Sequence, residues 1–274
     1  MNYSQKRTLL ITGANKGIGY GIVERLVSDP ISWNIIFTSR DEKLGQKALE
    51  TLKAKYPNSS SSLIYYQLDV TDDQSIENLF EWFKKSFDKL DVLINNAGIG
   101  KAEMTPEKQR KLTVKTNYFS VVKICEKSLS VLSEDAKILN ISSNLGQLSL
   151  QGKTLRTILS SDKLTEKKLN ETAENLLEII KDFESFEIFE DGVYPASKAL
   201  LNAYVRRFLP GKLQPNQQLY AVHPGWVRTD LGGPYAALSV EESADGVVAL
   251  INLPFKKNEA INGKLVYKTK VMSW

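Results

Sequence analysis

The sequence predicts an α/β fold in which helices cover both faces of one doubly wound, parallel, seven-stranded sheet. Short runs rich in β-branched residues alternate with amphipathic helical patterns along most of the 274 residues, and strands separated by helices pair in parallel. No linker, repeat or change in composition divides the chain, so we expect a single domain over residues 1–274. The predicted strands are Thr8–Thr12, Trp33–Thr38, Leu63–Leu68, Val92–Asn95, Lys137–Ile141, Leu219–Val222 and Lys264–Tyr267.

Helical patterns fill most of the gaps between these strands, with apolar residues recurring every three or four positions. Most of the patterns join two predicted strands, as the crossover connections of a parallel sheet must. The predicted helices are Ile18–Ser28, Lys43–Lys55, Asp73–Phe87, Gln109–Leu132, Ala196–Phe208 and Val240–Ile251.

Residues 144–193 interrupt this alternation because they contain no convincing strand. Within them, Thr165–Phe186 is typical of an exposed amphipathic helix. We therefore expect a helical insertion between two core elements. The apolar positions of its helix are Leu169, Ala173, Leu176, Leu177, Ile180 and Phe183.

The composition excludes several classes of function. The net charge of +4, from 36 Lys and Arg against 32 Asp and Glu, is too small and scattered for a nucleic-acid-binding surface. A single cysteine, Cys125, excludes an intramolecular disulfide and a cysteine-based zinc site, and a single histidine, His223, disfavours a metal cluster or a Ser-His-Asp triad. No apolar stretch is long enough to span a membrane, and the N-terminus lacks a signal-peptide core. We expect a cytoplasmic protein without metal, nucleic-acid or membrane partners.

A glycine-rich loop, Thr12–Gly19, follows the first predicted strand and opens the first helix. Glycine permits a tight turn and a close approach of the backbone to a pyrophosphate, and the helix N-terminus favours its negative charge. An ordinary strand-to-helix turn is the alternative, but the position of the loop favours dinucleotide binding. The predicted cofactor-binding residues of the loop are Gly13, Asn15, Lys16, Gly17, Ile18 and Gly19.

The end of the second strand indicates which dinucleotide binds. An acidic residue there accepts a hydrogen bond from the ribose of NAD, whereas this chain has Thr38, Ser39 and Arg40. A guanidinium pairs well with the 2′-phosphate of NADP, and Lys16 adds a second positive charge. The alternative for Arg40 is a solvated loop residue, and we expect Asp41 to point elsewhere or to cap the next helix.

Two further strand ends contribute to the predicted cofactor site. After the third strand, Asp69 has the chemistry to accept a hydrogen bond from an adenine amine, although capping the helix near Thr71 explains it nearly as well. After the fourth strand, Asn96, Ala97 and Gly98 leave room for a flat ring at the sheet edge where α/β proteins bind ligands.

Tyr194 and Lys198 are four residues apart in a predicted helix, so their side chains share one face. Such a pair arises easily by chance in a chain with 11 tyrosines and many lysines. Its significance comes from the accompanying residues, namely the glycine-rich loop, Ser143 after a strand and Asn117 within a helix.

Together these segments resemble the short-chain dehydrogenase/reductase family, and within it the monomeric NADPH-dependent carbonyl reductases. The resemblance covers nearly the whole chain in the order and spacing of the family. It implies a Rossmann fold with strand order 3-2-1-4-5-6-7. The matching stretches are Thr12–Gly19, Leu68–Val70, Asn95–Gly98, Lys115–Asn117, Asn140–Ser143, Tyr194–Lys198 and Pro224–Asp230.

The resemblance assigns roles to the reaction residues. Tyr194 is expected to donate a proton to the carbonyl oxygen of the substrate, and Ser143, rather than Ser142, to hydrogen-bond that oxygen. A nearby ammonium favours a phenolate, so Lys198 is expected to lower the pKa of Tyr194. By analogy Lys198 also holds the nicotinamide ribose, and Asn117 anchors a water that links Lys198 to solvent. The alternative for Asn117 is a helix residue with a local bond.

The resemblance extends to the loop after the sixth strand, which is expected to hold the nicotinamide end of the cofactor. Trp226 is a predicted wall of the substrate site, with a packed loop tryptophan as the alternative. We interpret His223 as structural and Cys125 as a core residue. The cofactor residues added by the resemblance are Val70, Pro224, Gly225, Val227 and Thr229.

The sequence thus predicts an NADPH-dependent enzyme whose partner is a small-molecule carbonyl substrate. Aldehydes, ketones and quinones are the classes of carbonyl that it is expected to reduce. The alternatives are an NADP-dependent alcohol or hydroxysteroid dehydrogenase and a non-catalytic NADP(H)-binding sensor. A monomer is expected, because the insertion offers an apolar stripe that can cover the surface through which many relatives associate.

Overall fold

The fold, taken from a computed structural model, is described for residues 6–100, 104–178, 192–254 and 260–274. One sheet runs through the molecule in the order β3-β2-β1-β4-β5-β6-β7-β8. Neighbouring strands pair in parallel except β7 and β8, which are antiparallel. The strands are β1 (Arg7–Ile11), β2 (Trp33–Ser39), β3 (Ser62–Gln67), β4 (Leu90–Asn95), β5 (Leu132–Ile141), β6 (Gln218–His223), β7 (Leu265–Tyr267) and β8 (Lys270–Val271).

Nine α-helices occur in the described residues. They are α1 (Gly17–Val27), α2 (Glu42–Lys55), α3 (Asp73–Ser86), α4 (Pro106–Val114), α5 (Ser120–Ser128), α6 (Lys153–Ser160), α7 (Glu166–Glu178), α8 (Val193–Arg207) and α9 (Val240–Asn252).

Helices cover both faces of the sheet, which confirms the predicted doubly wound α/β fold. Side chains alternate between the faces of a strand, so in β1 Leu9 and Ile11 pack beneath α1, α2 and α9, whereas Leu10 packs beneath α3, α4, α5 and α8. Because both faces are buried, the central strands are continuously apolar, as in Leu9–Ile11. The expectation of a single domain stays a prediction.

The predicted strand number is wrong by one. All seven predicted strands are present in the predicted order, and β8 adds a two-residue antiparallel edge strand. Such a short strand carries too little periodicity to be recognised in a sequence. No helix among the described residues has the length and apolar character required to cross a membrane.

The long helix predicted at Gln109–Leu132 is interrupted. A π-helical segment, Lys115–Phe119, separates α4 from α5, and the predicted helix also overran its end, because Leu132 begins β5. A π-helical turn contains one extra residue, so the apolar faces before and after it follow different registers.

The insertion contains α6 and α7 where the sequence indicated one helix. Leu169, Ala173 and Leu176 of α7 are buried in the core cluster that includes residues of α4, α5 and α8. Tyr118 donates a hydrogen bond to Asn170 at 2.7 Å, which ties the π-helical segment to α7. The predicted positions Ile180 and Phe183, and the side chain of Leu177, lie outside the described residues.

Candidate active site

The glycine-rich loop passes directly over the loop that follows β4. Gly13 has a φ of +65°, and a Cβ atom there would lie 2.8 Å from Cα of Ala97. At Gly19 a Cβ atom would lie 2.5 Å from Nδ2 of Asn96. Glycine is therefore required at both positions. Gly13 needs it for its backbone conformation and for space, and Gly19 needs it for space alone.

Asn96 fixes this arrangement. Its Nδ2 donates to the carbonyl oxygens of Thr12 and Gly13 at 2.9 and 2.8 Å, and the hydroxyl of Thr12 accepts from the backbone N–H groups of Asn96 and Ala97. The structure thus brings Asn96 and Ala97 to the predicted cofactor loop. Asn96 uses its amide to shape that loop.

The N-terminus of α1 suits an anionic group. Lys16 is its N-cap residue, no side chain caps the helix, and its first turn contains no acidic residue. Helix N-termini left open in this way bind phosphate through free N–H groups and the helix dipole. Together with the two close glycine approaches, this fits the dinucleotide predicted from the sequence.

Arg40 lies exposed at the end of β2, where the 2′-phosphate of NADP was expected. The neighbouring Asp41 does not pair with Arg40, because Oδ1 of Asp41 accepts a hydrogen bond from the N–H of Leu44 at 2.9 Å and caps α2. The predicted capping role of Asp41 is confirmed. The second predicted cation, Lys16, forms a 2.5 Å ion pair with Asp230.

Asp69 follows β3, and its Oδ1 accepts hydrogen bonds from the backbone N–H and the hydroxyl of Thr71 at 2.8 and 2.7 Å. The alternative that Asp69 caps the following helix is wrong, because Asp72 caps α3 by accepting from the N–H of Gln74. Asp69 instead closes the turn before it. Val70, the next residue, is half-buried against the core.

Tyr194 and Lys198 lie one turn apart at the start of α8, which begins after Gly192 at a φ of +60°. The ammonium of Lys198 lies 5.7 Å from the centre of the Tyr194 ring and donates to the carbonyl oxygen of Ile141 at 2.8 Å. Ser143, two residues beyond Ile141, hydrogen-bonds the phenol of Tyr194. The end of β5 and the first turn of α8 therefore bring the three predicted reaction residues together.

Burial determines the direction in which the pKa values of Tyr194 and Lys198 shift. It raises the pKa of Tyr194 to about 12, although the hydrogen bond from Ser143 acts in the opposite direction. Burial also lowers the pKa of Lys198 to about 8. The prediction that Lys198 lowers the pKa of Tyr194 is therefore wrong for this arrangement, because the cost of removing the phenolate from water dominates. Tyr194 is protonated at neutral pH.

Asn117 lies in the π-helical segment and is fully buried. Its amide accepts from the backbone N–H of Ile99 at 2.9 Å and donates to the carbonyl of the same residue at 2.8 Å, and it reaches the hydroxyl of Ser197 at 3.1 Å. A Cβ atom on Gly98 would lie 3.4 Å from Oδ1 of Asn117 and 3.6 Å from Nζ of Lys198. Asn117 thus joins the loop after β4 to α8. These long-range partners contradict the alternative that Asn117 is a helix residue with only a local hydrogen bond.

The neighbouring serine has a different environment. Ser142 donates to Oδ1 of Asn202 at 2.5 Å, and Nδ2 of Asn202 donates to the carbonyl of Gly146 at 3.1 Å. Asn202, two turns after Tyr194 in α8, thus fixes the segment that follows Ser143. Asn202 is not among the predicted site residues, although it is a polar residue on the same face of the helix as Tyr194 and Lys198, which was the available signal.

His223 at the end of β6 accepts a hydrogen bond on Nδ1 from the backbone N–H of Asn144 at 3.3 Å. Burial lowers its pKa to about 4, so it is neutral at physiological pH. The predicted structural role of His223 is therefore confirmed. Cys125 is fully buried in the core, which confirms the prediction for this residue as well. Burial raises the pKa of its thiol to about 12, which removes thiolate reactivity.

The loop after β6 is closed by hydrogen bonds between its two ends. Arg228 donates from its guanidinium to the carbonyls of Ala236 and Ala237 at 2.9 and 3.0 Å. Trp226 is 58% exposed, so it is not packed in the core, and its indole N–H donates to Gly232 at 2.8 Å.

The remaining predicted residues of this loop are held by contacts that each involve at least one backbone group. Val227 bridges to Leu238, Thr229 accepts from the N–H of Gly232 at 3.2 Å, and the carbonyl of Pro224 accepts from the hydroxyl of Ser243 at 2.8 Å. Gly225 adopts a φ of +90°, a conformation that favours glycine.

The sheet order, the glycine-rich loop and the open N-terminus of α1 define a Rossmann-type α/β protein. Residues 7–155 match the family model of the short chain dehydrogenases. The chain belongs to the short-chain dehydrogenase family.

Related sequences and structures span nearly the whole chain. A (+)-neomenthol dehydrogenase of Arabidopsis thaliana is 36% identical over 92% of this chain and 93% of its own. Carbonyl reductase (NADPH) 1 of Bos taurus is 34% identical over 97% of both chains. Among solved structures, salutaridine reductase from Papaver somniferum has a TM-score of 0.82 at 28% identity, covering 95% of this chain and 99% of its own. The NADPH-bound carbonyl reductase from chicken fatty liver has a TM-score of 0.70 at 31% identity, covering 98% and 99%.

Proposed function

We propose that this chain is an NADPH-dependent reductase of aldehyde, ketone or quinone carbonyls. The observation that carries the proposal is the hydrogen bond between Ser143 and Tyr194 in a buried site that also contains Lys198. Relatives named as NADPH carbonyl reductases support the cofactor and the carbonyl substrate. A sensor without catalytic activity has no need for this buried set of residues.

The cofactor would lie along the carboxyl edge of the sheet. The glycine-rich loop and the N-terminus of α1 suit its pyrophosphate, Arg40 its 2′-phosphate, and Asp69 and Val70 its adenine. Residues of the loop after β6, among them Val227 and Thr229, suit its nicotinamide end. When bound, NADPH supplies a hydride.

Tyr194 would supply the proton for the carbonyl oxygen. Its raised pKa keeps the O–H bond intact at neutral pH, which is the form that reduction requires. Ser143 orients the phenol now and would hydrogen-bond the oxygen of the substrate as negative charge develops on it. Lys198 holds positive charge beside this pair, and Asn117 holds the backbone of Ile99 beside α8. The water-anchoring role of Asn117 stays a prediction.

The proposal is tested with NADPH oxidation in the presence of aldehydes, ketones and quinones. Tyr194→Phe removes the transferable proton and should lower kcat by about a hundred- to ten-thousandfold, the usual contribution of a positioned general acid. NADPH affinity should be retained. Tyr66→Phe is the matched control, since Tyr66 is half-buried beside Trp82 and remote from the reaction residues.

Wild-type turnover by Tyr194→Phe on every accepted carbonyl would show that the assigned mechanism is wrong. Absence of NADPH oxidation by the unmodified chain with all three classes of carbonyl would reject the proposed function itself.

Oxidation of an alcohol is the second candidate, favoured by the 36% identical relative that is named a dehydrogenase. The same residues would act, with Tyr194 accepting the proton. Since oxidation requires a phenolate, the raised pKa of Tyr194 favours reduction near neutral pH.

We also propose that the chain acts as a monomer, because α7 already covers α4 and α8. Besides the buried apolar stripe of α7, Lys212 joins Glu126 of α5 to Glu166 of α7 at 3.0 and 2.6 Å. Sedimentation equilibrium at micromolar concentration should give a mass near 30.8 kDa. A mass two or four times larger would contradict the covering role of α7. The cytoplasmic location inferred from the sequence stays a prediction.

A further inference from the structure

An ion pair that the proposed reaction does not use joins the glycine-rich loop to the loop after β6, and it involves Lys16, one of the two cations predicted to pair with the 2′-phosphate of NADP. Nζ of Lys16 donates to Oδ2 of Asp230 at 2.5 Å. The two residues are 214 positions apart in the sequence, and their side chains are 69% and 81% exposed. The pair is therefore formed by the fold, at a place where both groups remain accessible.

The position of the pair relates it to phosphate binding. Lys16 is the N-cap residue of α1, whose N-terminus has no side-chain cap. A Cβ atom on the next residue, Gly17, would lie 3.5 Å from Cγ2 of Thr229, the neighbour of Asp230. The carboxylate of Asp230 is thus an anion held beside the helix end that suits the phosphates of the cofactor.

We propose that Asp230 competes with the phosphate groups of NADPH for Lys16, and that it thereby weakens cofactor binding and speeds release of NADP⁺. The proposal rests on the proposed NADPH binding. It concerns Asp230, which ends one of the matching stretches but has no role in the predicted cofactor site or in the proposed mechanism.

Two physical arguments support competition. First, an exposed ion pair is worth little, so a phosphate dianion can displace the carboxylate from Lys16 at small cost. Second, a displaced carboxylate stays close to the bound phosphates, and like charges at short distance in water still repel. The hydrogen bond from Lys16 holds the pKa of Asp230 below its usual range, so the carboxylate is charged at every pH at which the enzyme is expected to work.

Arg40 provides an internal contrast. It forms no ion pair with any residue that the structure describes, whereas the charge of Lys16 is already neutralised. Of the two cations predicted to bind the cofactor, Lys16 should therefore contribute less than its charge suggests, until Asp230 is removed.

The test measures dissociation constants for NADPH and NADH by fluorescence titration, which needs no substrate. Asp230→Asn keeps the shape of the side chain and removes its charge, and should tighten NADPH binding by about three- to fivefold, the range of one exposed ion pair. The effect on NADH should be smaller, and release of NADP⁺ in stopped-flow experiments should slow by a similar factor. High salt should reduce the difference between variant and wild type.

Two further variants make the test specific. In a Lys16→Gln background, Asp230→Asn should no longer alter NADPH affinity beyond a small residual repulsion, because the competition acts through Lys16. Asp245→Asn is the matched control, since it removes another exposed ion pair between α1 and α9, with Arg25 at 2.9 Å, and should leave NADPH affinity unchanged.

Weaker NADPH binding by Asp230→Asn would overturn the proposal, since Asp230 would then hold the loop closed over the cofactor. Equal tightening with and without Lys16 would also overturn it, because a general charge effect would explain the result. If the unmodified chain bound no NADPH, the proposed function would fail, whereas NADPH binding unaffected by Asp230→Asn would overturn the competition alone.

Discussion

Exposed charges surround the predicted phosphate site, whereas the side chains of the proposed reaction centre are almost completely buried. Arg40 and Lys16 project into solvent, and much of the remaining cofactor site is backbone of the glycine-rich loop. In the reaction centre, by contrast, Lys198 and Tyr194 are 4% and 8% exposed, and Asn117 is inaccessible. The two regions lie along one sheet edge, but they are built on different physical principles.

This difference determines how each region responds to substitution. Exposed charges in water are coupled only to their direct partners, so each change should affect affinity alone and leave the reaction centre undisturbed. Buried polar side chains share partners, as Ser143 does with Tyr194 and Asn117 with Ser197. One substitution there leaves other polar groups without partners, so its effects should be large and non-additive.

Lys198→Ala should have the largest effect of the substitutions that separate the two regions. It removes the buried ammonium that bonds the carbonyl of Ile141 and lies beside the ring of Tyr194. We expect kcat to fall by at least about a hundredfold, the effect of losing one buried electrostatic contact in a reaction centre. NADPH affinity should fall as well. Unchanged values for both quantities would show that burial does not link these residues.

Arg40→Ala should have an intermediate effect, confined to binding. Loss of a charge-assisted contact of about 1.5–3 kcal/mol predicts roughly ten- to hundredfold weaker NADPH affinity. NADH affinity and the kcat at saturating NADPH should barely change. Equal affinity of the unmodified chain for NADPH and NADH would show that Arg40 does not recognise the 2′-phosphate.

The pH dependence should show the smallest effect. Lys198 loses its charge as the pH rises through about 8, whereas Tyr194 keeps its proton until about pH 12. The kcat for reduction should therefore be highest near neutral pH and decline above pH 8 by less than in Lys198→Ala, because the neutral amine still occupies its place beside Ile141 and the general acid itself remains protonated. Oxidation of the corresponding alcohol should accelerate over the same range. A reduction rate that rises from pH 8 to 10 would contradict this assignment.

The sequence predicted those parts of the molecule that depend on local patterns. The central strands are continuous apolar runs, the glycine-rich loop directly joins β1 to α1, and Asp41 caps α2 through its own turn. Each of these follows from residues that are close together in the chain. The family resemblance then supplied the strand order, which periodicity does not contain.

The sequence did not reveal features that depend on the assembled fold. The Lys16–Asp230 pair links positions far apart in the chain, and the partners of Asn117 come from two other elements. The direction of the pKa shift of Tyr194 also depends on burial, whereas the sequence showed only a nearby lysine. Such effects require three-dimensional neighbours.

The π-helical segment at Lys115–Phe119 has a consequence for chain length in this region. An α-helix turns by about 100° per residue, and the wider π-helical turn takes up one additional residue, so that α4 and α5 both keep their apolar faces on the core. Deleting one residue of α4, where no wider turn takes up the change, would rotate Val121 and Ile124, which are now buried, away from the core. It would also withdraw Asn117 from Ile99. Loops elsewhere tolerate changes in length, but here a single codon gained or lost should prevent the core and the reaction centre from forming together.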